Sequence, residues 1–263
     1  MPAELHLSPF ALSHGLRHVA GETWNPSTPT RVALSTVIPA VDEHGGVTWE
    51  APTAGGYAHQ ALSWNAASDG EATSDGAVSW TLTERVDVAG LVILDDDDEP
   101  IAFGTTLNWV TVADQQFTIP DGGIVLRAVA ADPLDAMQGL SVYRATKMLD
   151  RLLRGEAWTI TAASWAVATT DVDQDGTFTE ATGGGYAREA ASFAAPDVYV
   201  PVMVTDAVAE WTPLSTAAAT DVAAIVLLDD TTGGNVLGAF PYEASVPQDE
   251  NLSFDAGEIR VGA

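Results

Sequence analysis

The feature that most constrains this chain is that its landmarks occur twice, in the same order. Ala54-Gly55-Gly56-Tyr57-Ala58-His59-Gln60 is answered by Thr182-Gly183-Gly184-Gly185-Tyr186-Ala187-Arg188-Glu189. Gly21-Glu22-Thr23-Trp24 precedes the first stretch, and Gly155-Glu156-Ala157-Trp158 precedes the second. Downstream, Val88-Ala89-Gly90-Leu91-Val92-Ile93-Leu94-Asp95-Asp96 matches Val222-Ala223-Ala224-Ile225-Val226-Leu227-Leu228-Asp229-Asp230. The ends agree as well, with Phe117–Ile124 set against Leu252–Ile259. Shared order at near-constant spacing predicts one domain duplicated in tandem. The expected units are residues 1–128, a linker at 129–139 marked by Asp132-Pro133, and residues 140–263.

The elements inside each unit follow from local pattern. Ser8-Pro9 supplies an N-cap and a first-turn proline, Phe10, Leu12, Leu16 and Val19 an apolar face, and Gly21 a stop. In the second unit Ser141 caps and Val142, Met148, Leu149, Leu152 and Leu153 make the stripe. Gly155 ends that helix, with Arg151 and Arg154 in its last turn, where cations suit the dipole. The rest reads as short strands between Gly, Asp, Asn, Thr and Pro clusters. The predicted fold is therefore mainly β: two tandem antiparallel β-sandwich domains, Ig-like or jelly-roll-like, each preceded by a short α-helix. Val88–Leu94 and Val222–Leu228 are apolar almost throughout and predict central strands covered on both faces.

Charge narrows the class of protein. The formal net charge is −27, with Lys147 the sole lysine, and the carboxylates are spread between apolar segments. Dispersed acidity of this kind self-repels in dilute buffer and is relieved by salt, which predicts a protein adapted to a high-salt environment. With no basic patch, direct nucleic-acid binding is excluded. Cysteine is absent, so disulfides and thiolate chemistry are excluded too. No apolar run approaches the roughly 20 residues a membrane helix needs, and no signal peptide is read at the start.

Candidate sites are few. Asp171-Val172-Asp173-Gln174-Asp175-Gly176 opens like a calcium loop, with oxygen donors at alternating positions and then a turn glycine. Asp171, Asp173 and Asp175 are thus the metal candidates, for calcium or another cation. Against this, Thr182 stands where the bidentate glutamate belongs and flanking helices are missing, so a solvated acidic loop is the competing reading. Asp95–Glu99 reads as a solvated hairpin tip. His14 and His18 share a helix face, but nothing completes a zinc site. Trp24 and Trp158 recur, as do Trp80 and Trp211, which argues for core packing. Trp49, Trp64, Trp109 and Trp165 have no tryptophan counterpart, and surface recognition by aromatics would be sought there. No nucleophile elbow, phosphate loop or dinucleotide fingerprint is present, so no catalytic residue is assigned.

One more pattern is informative. Leu149-Asp150-Arg151-Leu152-Leu153-Arg154-Gly155 leads to Ala166–Thr170, then an acidic loop, then Gly183-Gly184-Gly185-Tyr186-Ala187-Arg188. Leu227–Leu237 and Phe254-Asp255-Ala256-Gly257-Glu258-Ile259 complete it. This arrangement resembles a family of small β-sandwich virion proteins of tailed bacteriophages, labelled tail or minor structural proteins. The second unit matches over nearly its whole length. The first diverges, with His59 where the pattern has Arg188. The resemblance implies a non-enzymatic structural protein of a virion, a tail component near the tip, baseplate or fibres. A capsid decoration or turret protein is the alternative placement. With the composition, it implies a tailed virus of a haloarchaeon. Its expected partners are other virion proteins, copies of itself, and a host surface glycan or glycoprotein. From another class, a secreted carbohydrate-binding or hydrolytic β-sandwich is the alternative, which the missing signal peptide counts against.

Overall fold

A computed structural model describes residues 3–23, 30–128, 141–197, 201–216 and 218–262. The expected linker at 129–139 and Trp24 lie outside the described residues.

The first half runs β1 (Ala3–Leu7), α1 (Pro9–Val19), β2 (Thr30–Ser35), β3 (Ala40–Val41), β4 (Val47–Thr48), β5 (Gln60–Trp64), β6 (Glu71–Asp75), β7 (Val78–Thr81), β8 (Asp87–Leu94), β9 (Pro100–Val110), β10 (Gln116–Ile119) and β11 (Ile124–Arg127). The second runs α2 (Val142–Arg154), β12 (Ser164–Ala168), β13 (Glu189–Ala190), β14 (Phe193–Ala194), β15 (Val202–Thr205), β16 (Ala209–Trp211), β17 (Thr220–Leu228), β18 (Val236–Val246), β19 (Leu252–Phe254) and β20 (Arg260–Gly262).

The chain is mainly β, as expected, but the first half does not form an open two-sheet sandwich. Its strands close into a seven-stranded barrel in the order β1-β11-β6-β5-β2-β8-β9, with β7 and β10 paired separately. Closure depends on β1, which runs parallel to β11 and antiparallel to β9. Closing a sheet on itself removes the unpaired edges that a sandwich leaves. In the second half, β13-β12-β17-β18, β14-β15-β20 and β16-β19 form three sheets. The pairing order of the first half recurs there. β2–β8–β9 corresponds to β12–β17–β18, β5–β6–β11 to β13/β14–β15–β20, and β7–β10 to β16–β19. Positions matching β1 would fall at 129–140, outside the described residues.

Burial explains the two central strands. On β8, Leu91 and Ile93 enter the main core, while Val92 and Leu94 join Ala33 under Trp49 and Phe103 on the other face. On β17, Ile225 and Leu227 face the main core, and Val226 and Leu228 face Ala166, Val172 and Phe178. Both faces are therefore covered, and each fully enclosed aliphatic side chain contributes roughly 1.5–3 kcal/mol.

The two helices are where the halves meet. Ser8 and Ser141 cap them as the sequence predicts, accepting hydrogen bonds from the Ala11 and Arg144 amides. Gly155 takes the left-handed conformation that ends α2. The buried face of α1 differs from the expected one. Ala11, Ser13, Gly15, Leu16 and Val19 turn inward, leaving Phe10 and Leu12 half-buried. The small residues let α2 approach closely: a β-carbon on Gly15 would stand 2.5 Å from the Met148 sulfur. α2 also crosses to the first half, where Thr146 accepts a hydrogen bond from the Gly70 amide at 2.9 Å and Asp150 one from Ala67 at 2.9 Å. The main apolar core accordingly contains residues of both halves. Arg144 is enclosed within it, and burial pushes its guanidinium down to about 9, still protonated at neutral pH.

Candidate functional site

The twice-occurring glycine–tyrosine stretch resolves as a knot that secures each sheet. The Leu34 amide donates to the Tyr57 hydroxyl at 3.1 Å, and that hydroxyl donates to the Leu34 carbonyl at 3.3 Å. At the corresponding ladder position, Val167 donates its amide to the Tyr186 hydroxyl at 3.0 Å. Burial pushes the Tyr57 phenol up to about 12, and burial raises Tyr186 as well. The glycines permit close approach. A β-carbon on Gly56 would meet the Thr81 carbonyl oxygen at 2.5 Å, and one on Gly184 the Thr216 hydroxyl at 2.5 Å.

Next to each knot a guanidinium holds the following hairpin loop. In the second half Arg188 grips Glu180 with two hydrogen bonds, at 2.8 and 2.7 Å, and donates to the Asp230 and Gly233 carbonyls beyond β17. The Arg188 bonds hold the Glu180 carboxyl below the usual carboxylate range, and burial opposes them. In the first half Arg188 is replaced by His59, which lies 3.5 Å from Asp98. There the clamp comes from β2 instead: Arg31 donates to the Asp95 and Asp96 carbonyls at 2.9 and 2.7 Å and pairs with Asp98 at 3.1 Å. Arg31 pairs across the ladder with Leu94, just as Ser164 pairs with Leu228, and the Ser164 hydroxyl donates to Asp230 at 2.7 Å. The two halves thus hold the same hairpin from adjacent strands.

The acidic stretches divide. Asp95 is not part of a solvated tip. It is buried, and its Oδ1 accepts the amides of Asp97 and Glu99, both at 2.9 Å. Burial pushes its carboxyl up despite those bonds. Asp171, Asp173 and Asp175 are all exposed, while the intervening Val172 is buried over β17. Asp175 accepts the Thr177 amide at 2.9 Å, which lowers its pKa. Among the described residues no group of three or more His, Asp or Glu side chains is arranged to hold a metal. The loop's alternation therefore has a packing cause: valine inward, carboxylates outward. His14 and His18 are half-buried rather than exposed. His14 packs tilted against Phe10, ring centroids 4.4 Å apart, and His18 Nε2 lies 2.7 Å from the Trp158 carbonyl oxygen.

Of the four unmatched tryptophans, Trp64 and Trp165 enter the core, leaving Trp49 and Trp109 half-exposed. Trp109 borders a cleft of about 460 Å³, a size typical of small-molecule sites, completed by Phe117–Gly123. Its ring lies 5.6 Å from Phe117, which in turn packs 6.0 Å from the buried Trp80. Two observations define what such a molecule can do. Tyr57, Tyr186, Arg31 and Arg188 are committed to holding loops, and the cleft at Trp109 presents an aromatic wall to solvent.

These elements define a mainly β protein. The sequence model of a phage protein family, described as podophage GP4 fiber I protein gp80, matches residues 139–262. That stretch takes in α2 and β12 to β20, so the second half is similar to a phage fibre protein. The match supports a tail-fibre-like structural protein, a virion component generally without catalysis. No curated protein matches the chain.

Proposed function

We propose that this chain is a structural subunit of a tailed virus's fibre, built by tandem duplication of one β-domain. The observation that carries this reading is the fibre-family match over residues 139–262. The recurrence of its strand-pairing order in the first half supports the duplication. The second half, with the glycine–tyrosine knot and the Arg188 clamp, is the particle-facing unit. The first half, with His59 in place of that arginine and a cleft of its own, faces outward. Net charge of −27 suits a virion that works in strong salt, as the virus of a haloarchaeal host must. Its partners are other virion proteins, further copies of itself in a symmetric fibre, and a glycan or glycoprotein of the host surface. The test is copy number in purified virions by quantitative mass spectrometry against the major capsid protein. A fibre subunit is expected at a handful to a few tens of copies per particle. Hundreds of copies would assign the chain to the capsid surface instead.

A further inference from the structure

The cleft beside Trp109 lies where the β8–β9 ladder shifts register. Across the β8–β9 ladder Val88 faces Trp109 while Gly90 faces Thr105, so β9 carries extra residues between those pairs. Such a bulge bends a strand and re-aims the side chain that follows. In the second half Val222 faces Ala244 at the same position, and Leu252 on β19 stands where β10 has Phe117. There the β17–β18 ladder also shifts register, and Tyr242 in that bulge packs on Phe254 at 4.9 Å, so what is particular to the first half is an indole paired with Phe117. The floor of the cleft is preformed. The turn after β10 is closed by the Gly123 amide on the Pro120 carbonyl at 2.9 Å, and is tied down by Gly122 to Ser74 and by Gly76 to Asp121 Oδ1. A β-carbon on Gly123 would meet the Pro120 oxygen at 2.7 Å, so the backbone folds tightly there.

We propose that this cleft binds a neutral oligosaccharide, with Trp109 and Phe117 taking the apolar C–H face of a sugar ring. The exposed Asp121, whose Oδ2 takes no hydrogen bond among the described residues, accepts from the ring hydroxyls. This pairing of flat apolar faces with a polar edge is the surface that a sugar itself presents. Trp109 also walls a second cleft containing Arg85 and Asp87, so the site continues past the indole and fits a chain of sugars. The lining of the Trp109–Phe117 cleft sets the ligand's sign at contact range: it carries the Asp121 carboxylate and no basic side chain, so it offers a sialylated or sulfated glycan no cation and suits neutral ones. The proposal rests on the fibre reading only for the source of the sugar, a host surface glycan.

The experiment applies the fluorescently labelled full chain, in high salt, to an array of neutral and acidic oligosaccharides. The best-bound sugar is then titrated calorimetrically. Wild type is expected to bind neutral sugars. Trp109→Ala and Phe117→Ala should each weaken that binding about tenfold or more, while Trp49→Ala stays within about twofold. Asp121→Asn, on an exposed side chain whose Oδ1 contact asparagine can keep, guards against loss of fold and should weaken binding a few-fold. The proposal is overturned if wild type binds no array sugar, if it binds only acidic ones, or if Trp109→Ala binds as wild type does. It is equally overturned if Trp109→Ala converts an oligomer to a monomer in sedimentation, which would make the cleft a protein interface. A chain found on the fibre that binds no sugar refutes this inference alone. A sugar-binding chain missing from virions refutes the fibre reading and leaves the cleft standing.

Discussion

Removing Arg188 should loosen the second half, and the loss should shrink in acid. The guanidinium makes two charge-assisted bonds to Glu180 and reaches the Asp230 and Gly233 carbonyls, with its side chain 15% exposed and that of Glu180 28% exposed. A hydrogen bond to a charged group is worth about 1.5–3 kcal/mol when shielded, and a surface pair about 0–1. Discounted for partial exposure, Arg188→Leu should cost roughly 2 kcal/mol near neutral pH. That corresponds to about 4–8 °C in Tm if the halves melt as one unit. The cycle completed with Glu180→Gln and the double variant should show a coupling of about 1 kcal/mol. The folded carboxyl of Glu180 lies below its ordinary value of 4.5, so the contribution is complete above that pH. It is lost as pH falls through the lower folded value. Urea melts of all four proteins at about pH 7 and about pH 3 read this directly. Equal costs for Arg188→Leu at both pH values would refute the clamp, since they would assign the loss to packing of the stem alone.

Three further outcomes follow from the same geometry. Gly15→Val should cost about 1–3 kcal/mol by overpacking the helix crossing. Adding Met148→Ala should recover part of that cost, as read by thermal melts, because Met148 is what the new side chain meets. Asp95→Asn keeps the Oδ1 that accepts both loop amides and relieves a buried charge, so it should leave stability unchanged or raised at neutral pH. Asp95→Ala should lose about 1–3 kcal/mol, checked by urea denaturation. Raising salt from about 0.01 M to about 1 M shortens the screening length from roughly 30 to roughly 3 Å. The Tm of a chain with net charge −27 should climb continuously over that range in calorimetry.

Much of this was legible in the sequence because it depends on local pattern. Serine caps, the Gly155 stop and the continuous apolar runs of Val88–Leu94 and Val222–Leu228 read directly, since capping and burial act over a few residues. Barrel closure did not. β1 is short and β6 reads Glu-Ala-Thr-Ser-Asp, so only the small Ala72 and Ser74 turn inward and no strong alternation announces the strand. In the acidic loop the sequence left two readings open, a ligand pattern and a solvated loop. Its donor spacing resembled a ligand pattern, but Val172 set the register by seeking the core and turned Asp171 and Asp173 outward. The clamp was hidden because a function moved between strands: His59 in place of arginine looked like loss until Arg31 was seen from the neighbouring strand. For the cleft, the sequence narrowed the choice to four unmatched tryptophans, and burial of Trp64 and Trp165 together with the packing of Phe117 beside Trp109 distinguishes the last.

The central claim is that the chain is part of a fibre, and immunogold labelling of intact virions with antibodies to the first half tests it most directly. The account predicts gold at the tail, concentrated on the fibres. Gold distributed over the head, or particles left unlabelled while the denatured chain is still recognised, would contradict it.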